Sequence, residues 1–234
     1  MKNPAAGGGR WVEVAPERVT LWLTEFARRH GGSLGVFRTS DGTTLAFTAA
    51  DGATAECHPP FPPLPGPDSP DPEAAATALA AHALADRTVG VLLVRLGGYA
   101  VGVFSGSPPR LVSSKTGSRP VHGRSAAGGW SQHRFARRRE NQATTALRTA
   151  ADAATAIFAA AGPLDALVLG GDRRAMAGLP MDTSAAVERF LTVPDPRLAV
   201  LRDTPRAFLA IRIRLIEPAP GRGSTLDGVL LTED

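Results

Sequence analysis

Residues 89–105 read VGVLLVRLGGYAVGVFS. Two apolar runs, residues 89–96 and 99–105, flank Gly97-Gly98. Short runs rich in Val and Leu with glycines between them predict a pair of strands. Residues 110–114 predict a third. Residues 115–132 carry almost no apolar periodicity and predict a long loop, a feature that in compact domains tends to be functional or disordered. Beyond the loop, Phe135, Ala143, Leu147, Ala150, Ala154, Ile157, Phe158 and Ala161 recur at three- and four-residue steps. That spacing predicts a long helix with one buried stripe, ended by Gly162-Pro163. Residues 165–169 (DALVL) predict a buried strand that closes in Gly170-Gly171-Asp172. Short helices over 173–179 and 184–190 and a last strand over 208–216 complete this body. The order β-β-β-loop-α-β-α-α-β predicts an α/β sandwich on a mixed sheet.

Upstream lies a smaller α+β unit. Residues 1–10 are Gly-rich. Residues 11–14 predict a short strand. Pro16 stands at a helix N1 position, followed by Val19, Leu21, Trp22, Leu23, Phe26 and Ala27, and Gly31-Gly32 ends the helix. Residues 34–38, 43–48 and 53–57 predict strands separated by Asp41-Gly42 and Asp51-Gly52, both strong hairpin signals. Residues 58–72 (HPPFPPLPGPDSPDP) predict a proline-dense linker or strap. An Ala-rich helix follows from Pro72, with Glu73 in its first turn. The expected division is a small unit over 1–57, a linker over 58–72, a catalytic body over 73–218 and a flexible tail over 219–234.

The chain has 234 residues, 43% of them hydrophobic and 21% charged, which is ordinary globular usage. Lys occurs only at Lys2 and Lys115, and abundant Arg, Ala, Gly and Pro together mark a coding bias rather than a chemistry. A net charge of +4 says little until its location is known. The single Cys57 excludes an intramolecular disulfide framework and a Cys-rich zinc site. No basic start with a signal-length apolar run and no run of about 18 apolar residues is present, so a cytoplasmic protein without membrane contact is expected.

Charge location is informative in residues 115–142, KTGSRPVHGRSAAGGWSQHRFARRRENQ. Lys115, Arg119, Arg124, Arg134, Arg137, Arg138 and Arg139 stand against Glu140 alone. Arg134, Arg137 and Arg138 share a helical face by their spacing. The bland alternative is a solvated helix face. Against it, basic residues in a first helical turn oppose the macrodipole by roughly 0.3–1 kcal/mol each. A polyanionic partner offsets that cost. Gly128 and Gly129 allow a close backbone approach. Ser131 is a plausible N-cap. No GxxxxGK[ST] pattern supports a nucleotidase. Gln132, framed by Gly-Gly and arginines at the tip of the loop, has no packing reason to be there. Trp130 either stacks on a base or anchors the loop.

The stretch GGWSQHRFARRRENQ, with strands before it and DALVLGG after it, resembles the catalytic domain of eukaryotic and archaeal peptide-chain release factors. It is closer to the Vms-like peptidyl-tRNA hydrolases of ribosome-associated quality control and their actinobacterial relatives. Classical release factors carry an uninterrupted Gly-Gly-Gln, whereas Trp130 and Ser131 separate Gly129 from Gln132 here, as in the Ser-Gln form of the Vms-like branch. The resemblance covers about residues 89–216 and implies a ribonuclease-H-like release-factor domain. It implies hydrolysis of the ester joining a nascent peptide to tRNA, with Gln132 catalytic and Gly128, Gly129, Trp130 and Ser131 supporting its loop. Arg124, His133, Arg134, Arg137, Arg138 and Arg139 would contact RNA. The implied partners are the large ribosomal subunit at its peptidyl-transferase centre and peptidyl-tRNA, with no cofactor and no metal. A monomer is the simplest fit. No stop-codon-reading domain, zinc finger or ankyrin repeat is found, so codon-specific termination is not expected.

A neutral amide cannot act as a base at neutral pH, but it can orient water through one acceptor and two donors. Two other classes stay open at this point. One is a ribosome or tRNA binder of the same architecture without catalysis. The other is a metal-dependent nuclease using Asp165 and Asp172, although Asp172 also reads as a helix cap. His122 and His133 flank the motif as lesser candidates, more readily read as solvent-facing. Cys57 beside His58 reads as a small buried hydrophobe rather than a nucleophile.

Overall fold

A computed structural model describes residues 3–4, 8–66, 69–95, 98–118, 131–182 and 186–218, with side chains left out at 3–4, 131–143 and 186–188. Short strand β1 (Asn3–Pro4) pairs with β2 (Arg10–Val14). A 3-10 turn over Pro16–Arg18 leads into α1 (Val19–Arg29). Strands β3 (Leu34–Arg38), β4 (Leu45–Ala49) and β5 (Thr54–His58) form an antiparallel meander. Its turns are built by the two aspartates. Asp41 Oδ1 accepts from the Thr43 N–H and the Thr39 hydroxyl, and Asp51 Oδ1 accepts from the Ala53 N–H. Helix α2 (Pro72–Ala83) starts at Asp71, whose carboxylate accepts from the Glu73 and Ala74 N–H groups.

The second sheet opens with β6 (Val89–Arg95), β7 (Gly98–Ser105) and β8 (Arg110–Ser118), antiparallel in sequence order. The 31-residue α3 (Ser131–Ala161) then crosses one face. Strand β9 (Ala166–Gly171) pairs parallel with β6, and short α4 (Arg173–Ala177) follows it. Strand β10 (Ala186–Leu191) pairs parallel with β9, and α5 (Leu198–Phe208) covers the other face. The sheet order is β10-β9-β6-β7-β8. Helices α3 and α4 pack on Leu92, Val94, Tyr99 and Val101, while α5 packs on Val91, Leu93, Ala100 and Phe104. Covered on both faces, β6 is buried at every residue except Arg95. The mixed α/β sandwich expected from the sequence is present.

Several expectations are corrected. Residues 184–190, expected as a helix, contain β10 instead: pairing along β9 outweighs the local helix preference of Ala and Glu. Helix α5 was not expected, because Pro194, Pro196 and Pro205 mask its pattern. Its Leu201, Thr204 and Phe208 are nonetheless buried on one stripe. Pro205 has no N–H for the Leu201 carbonyl, and the Thr204 hydroxyl donates to that carbonyl instead at 2.7 Å. Strand β8 runs to Ser118, four residues past its expected end, and Ala161 is exposed rather than part of the buried stripe.

The last strand, β11 (Ile211–Ile216), does not complete the α/β body. It lies in the first sheet, between β2 and β5, in the order β1-β2-β11-β5-β4-β3. The pattern IRIRLI explains this. Ile211, Ile213 and Leu215 enter the core under α1 and α2, while Arg212 and Arg214 lie on the opposite face. Such alternation suits a sheet with one face covered, not the two-sided burial of β6. Helix α2 also belongs to this core through Ala75, Ala76, Leu79 and Ala83. The stretch after β5 is a strap anchored at both ends: Phe61 packs in the second core and Leu64 in the first. No helix among the described residues is long and apolar enough to cross a membrane.

Candidate functional site

Helix α3 sets the position of the motif. Its carboxy-terminal half lies on the sheet through Leu147, Ala150, Ala151, Ala153, Ala154, Ile157 and Phe158. Gly90 admits this contact, since a Cβ there would sit 3.0 Å from the Phe158 ring and 2.6 Å from Leu164. The helix hands over to β9 at Asp165. That residue's N–H donates to the Thr88 carbonyl and its carboxylate accepts from the Thr88 N–H at 2.7 Å, beside the start of β6. The amino end of α3 therefore points toward the opposite end of the sheet, where β6, β9 and β10 finish. At about 1.5 Å per residue, Gln132 lies roughly 22 Å along the axis from Leu147, the first described side chain of the helix in the core. Between them Thr144 and Thr145 are exposed.

Gln132 is the second residue of this helix, not a residue of the loop as expected, and Ser131 is itself helical rather than the residue before the helix. His133, Arg134, Arg137, Arg138 and Arg139 occupy the following turns, and the first turn holds no acidic residue. Arg119, His122, Arg124, Gly128, Gly129 and Trp130 lie outside the described residues.

The competing groups separate. Asp172 Oδ1 accepts from the Arg174 and Ala175 N–H groups at 2.8 and 3.3 Å, so it caps α4. Asp165 and Asp172 stand at opposite ends of β9, roughly 20 Å apart along a strand, and share no site. Among the described residues no group of three His, Cys, Asp or Glu side chains is arranged to hold a metal ion. Cys57 is fully buried in the first core, where burial drives its thiol far above the ordinary range. His58 is on the other face of β5, beside Trp11 at 5.2 Å between ring centroids. Cys57 and His58 therefore form no catalytic pair.

The Gly170-Gly171 pair has a structural role. Gly171 adopts φ +107°, and a Cβ there would lie 2.0 Å from the Val94 carbonyl oxygen. Only glycine lets β9 turn into α4 this close to β6. Sequence reasoning missed the neighbours of this turn. Arg95 ends β6, Arg173 and Arg174 follow β9, and Arg197 follows β10. Arg95, Arg173 and Arg174 stand at or just past the end of an expected strand, a signal that would have found these three, whereas Arg197 stands directly before α5.

The family model described as Actinobacteria/chloroflexi VLRF1 release factor matches residues 87–214, more than half of the chain. The chain belongs to this release-factor family. Membership places it in translation, in termination or ribosome rescue. The matched span holds the whole second sheet and α3 and continues into β11 of the first sheet. Two solved structures are similar in outline. The Vms1 mitochondrial localization core is 11% identical, covers 76% of this chain and 77% of its own, and has a TM-score of 0.32. The archaeal translation termination factor aRF1 is 9% identical with a TM-score of 0.34; the match covers 69% of this chain and 51% of that factor, so the chain spans about half its length. At scores this low the family assignment rests on the family model alone. A search among functionally curated proteins found no match.

Proposed function

We propose that this member of the release-factor family hydrolyses the ester between a nascent peptide and the 3′ end of its tRNA on stalled ribosomes. The observation that carries the reading is the position of Gln132. A residue with no expected packing role stands at the amino end of a 31-residue helix, far along the axis from the part that packs on the sheet. Arginines follow it in the next turns.

The chemistry follows from that backbone position. The first four N–H groups of a helix have no intrahelical acceptor, and the Gln132 N–H is one of them. The macrodipole there favours negative charge, such as the oxyanion that forms when water attacks the ester carbonyl. The side-chain amide has one acceptor and two donors, enough to orient that water but not to deprotonate it. The tRNA ribose oxygen leaves from an ester that is already activated, so no strong base is required of the protein. Arg124, His133, Arg134, Arg137, Arg138 and Arg139 hold phosphates and set the depth of insertion. The partners are the large-subunit peptidyl-transferase centre and peptidyl-tRNA, in the cytoplasm. A nuclease reading gains no support from Asp165 and Asp172, which stand apart.

The test is incubation of purified protein with ribosome-bound peptidyl-tRNA. Wild type should free the peptide and leave the tRNA intact, and Gln132→Ala should not free it. Cleaved RNA, or release by Gln132→Ala at the wild-type rate, would refute the assignment.

A further inference from the structure

Four arginines from three segments meet at the end of the second sheet toward which the amino end of α3 points. Arg95 is the last residue of β6, and its Nη1 donates to the Val193 carbonyl just past β10. Val94 pairs with Gly171 and its carbonyl accepts from the Asp172 N–H, which sets Arg173 and Arg174 beside Arg95. The Arg173 guanidinium lies 4.4 Å from the centroid of the Phe190 ring on β10. Arg197 follows Pro196, whose carbonyl lies against Gly98, the register partner of Arg95. All four side chains are exposed. Arg174 and Arg197 make no described side-chain contact, and none of the four forms an ion pair among the described residues. Of the neighbouring described acids, Asp172 is engaged as a cap and Asp195 is exposed.

Stability does not explain this arrangement. Four like charges gathered without a described ion pair repel one another, and two of them make no described side-chain contact. Arg173 and Arg174 also occupy the first turn of α4, against its dipole. An extended polyanion removes the repulsion and matches guanidinium groups spread over three segments. We propose that Arg95, Arg173, Arg174 and Arg197 form a second RNA-backbone contact surface at the end of the sheet toward which the amino-terminal half of α3 points. It would grip phosphates while the Gln132 end reaches the ester. This rests on the reading above and adds a surface to it. The surface sets affinity and orientation, since phosphate contacts position without reading sequence.

The experiment is cosedimentation of the full chain with large ribosomal subunits over a salt series. It compares wild type, Arg174→Glu with Arg197→Glu, and the charge-matched control Arg18→Glu with Arg206→Glu, whose positions are exposed but lie elsewhere. The rim pair should weaken association about tenfold or more at low salt. It should also reduce the slope of log affinity against log salt by about 1.4–1.8, near 0.7–0.9 per lost phosphate contact. The control pair should change the slope little. Equal effects from both pairs would mean that only net charge matters and would overturn the proposal. So would a photo-reactive residue at position 197 that labels ribosomal protein and no RNA. If wild type does not sediment with subunits at all, the release-factor reading itself fails, and the Gln132→Ala release assay shows that separately.

Discussion

Gln132 carries most of the functional argument with one amide. An uncharged group that works by placing water and offering donors has no titration of its own. Its loss removes positioning alone. Gln132→Ala should therefore lower single-turnover release by about 10²-fold or more, the scale of losing one positioned donor at an oxyanion. Ribosome association should remain near wild type, and sedimentation beside the release assay separates the two effects. Reversal at Arg137 and Arg138 should do the opposite, weakening association and flattening its salt dependence. An unchanged salt slope would remove those arginines from RNA contact. Cys57 lies in the first core: buried and far from its thiolate form, it should resist thiol reagents until the chain unfolds. Labelling in the native state would contradict that burial.

At the scale of elements, the structure separates what is readable locally from what is not. Strands β6, β7 and β9 were legible because two-sided burial writes unbroken apolar runs. Helix α3 was legible because its stripe repeats over several turns. Strand β10 and helix α5 were not, since partners from elsewhere in the chain decide them: β9 for one, and for the other the sheet face that takes Leu201 and Phe208 despite three prolines. The motif around Gln132 was readable as a contiguous string, whereas the four-arginine rim is scattered over a hundred positions and exists only after folding. Two elements make specific predictions. Gly171→Ala should cost roughly 3 kcal/mol or more in denaturant unfolding, from positive φ and from collision with the Val94 backbone. From α2, the His82 Nε2–H donates to the Phe61 carbonyl of the strap at 2.6 Å, and Arg87 donates toward Nδ1 at 3.2 Å. Burial, and then the Arg87 charge, hold the His82 pKa below its ordinary value. The folded chain thus binds this proton less readily than the unfolded chain. The stability it contributes is complete above the ordinary histidine pKa of about 6.5 and is lost as pH falls below that toward the lowered folded value. The melting temperature should drop over that range, and the drop should be smaller for His82→Gln, read by thermal melts of both proteins.

For the whole molecule, the decisive fact is that chain order and sheet membership disagree at the carboxy-terminal end. Helix α5 completes the second core, and β11, directly after it, completes the first. The strap runs the same way in reverse, with Phe61 in one core and Leu64 in the other. A side-chain clamp joins the same corner: Arg189 on β10 donates to Glu13 on β2 at 2.7 Å and to the Ala210 carbonyl just before β11. A unit cut at residue 57 would therefore leave β2 and β5 without the strand between them. Ile211, Ile213 and Leu215 each contribute about 1.5–3 kcal/mol by burial, roughly 5–9 kcal/mol together. That equals much of the 5–15 kcal/mol by which a domain is usually stable. A chain ending at Leu209 should lose the first core, with the near-ultraviolet dichroism of Trp11 and Trp22 collapsing, because β11 carries Arg212 over the Trp11 ring and Trp22 stacks on Phe26 in that core. The full chain should melt in one cooperative transition. Native-like tryptophan dichroism in the shortened chain would show that the first sheet closes without β11, and the coupling of the two sheets through this corner would then be wrong.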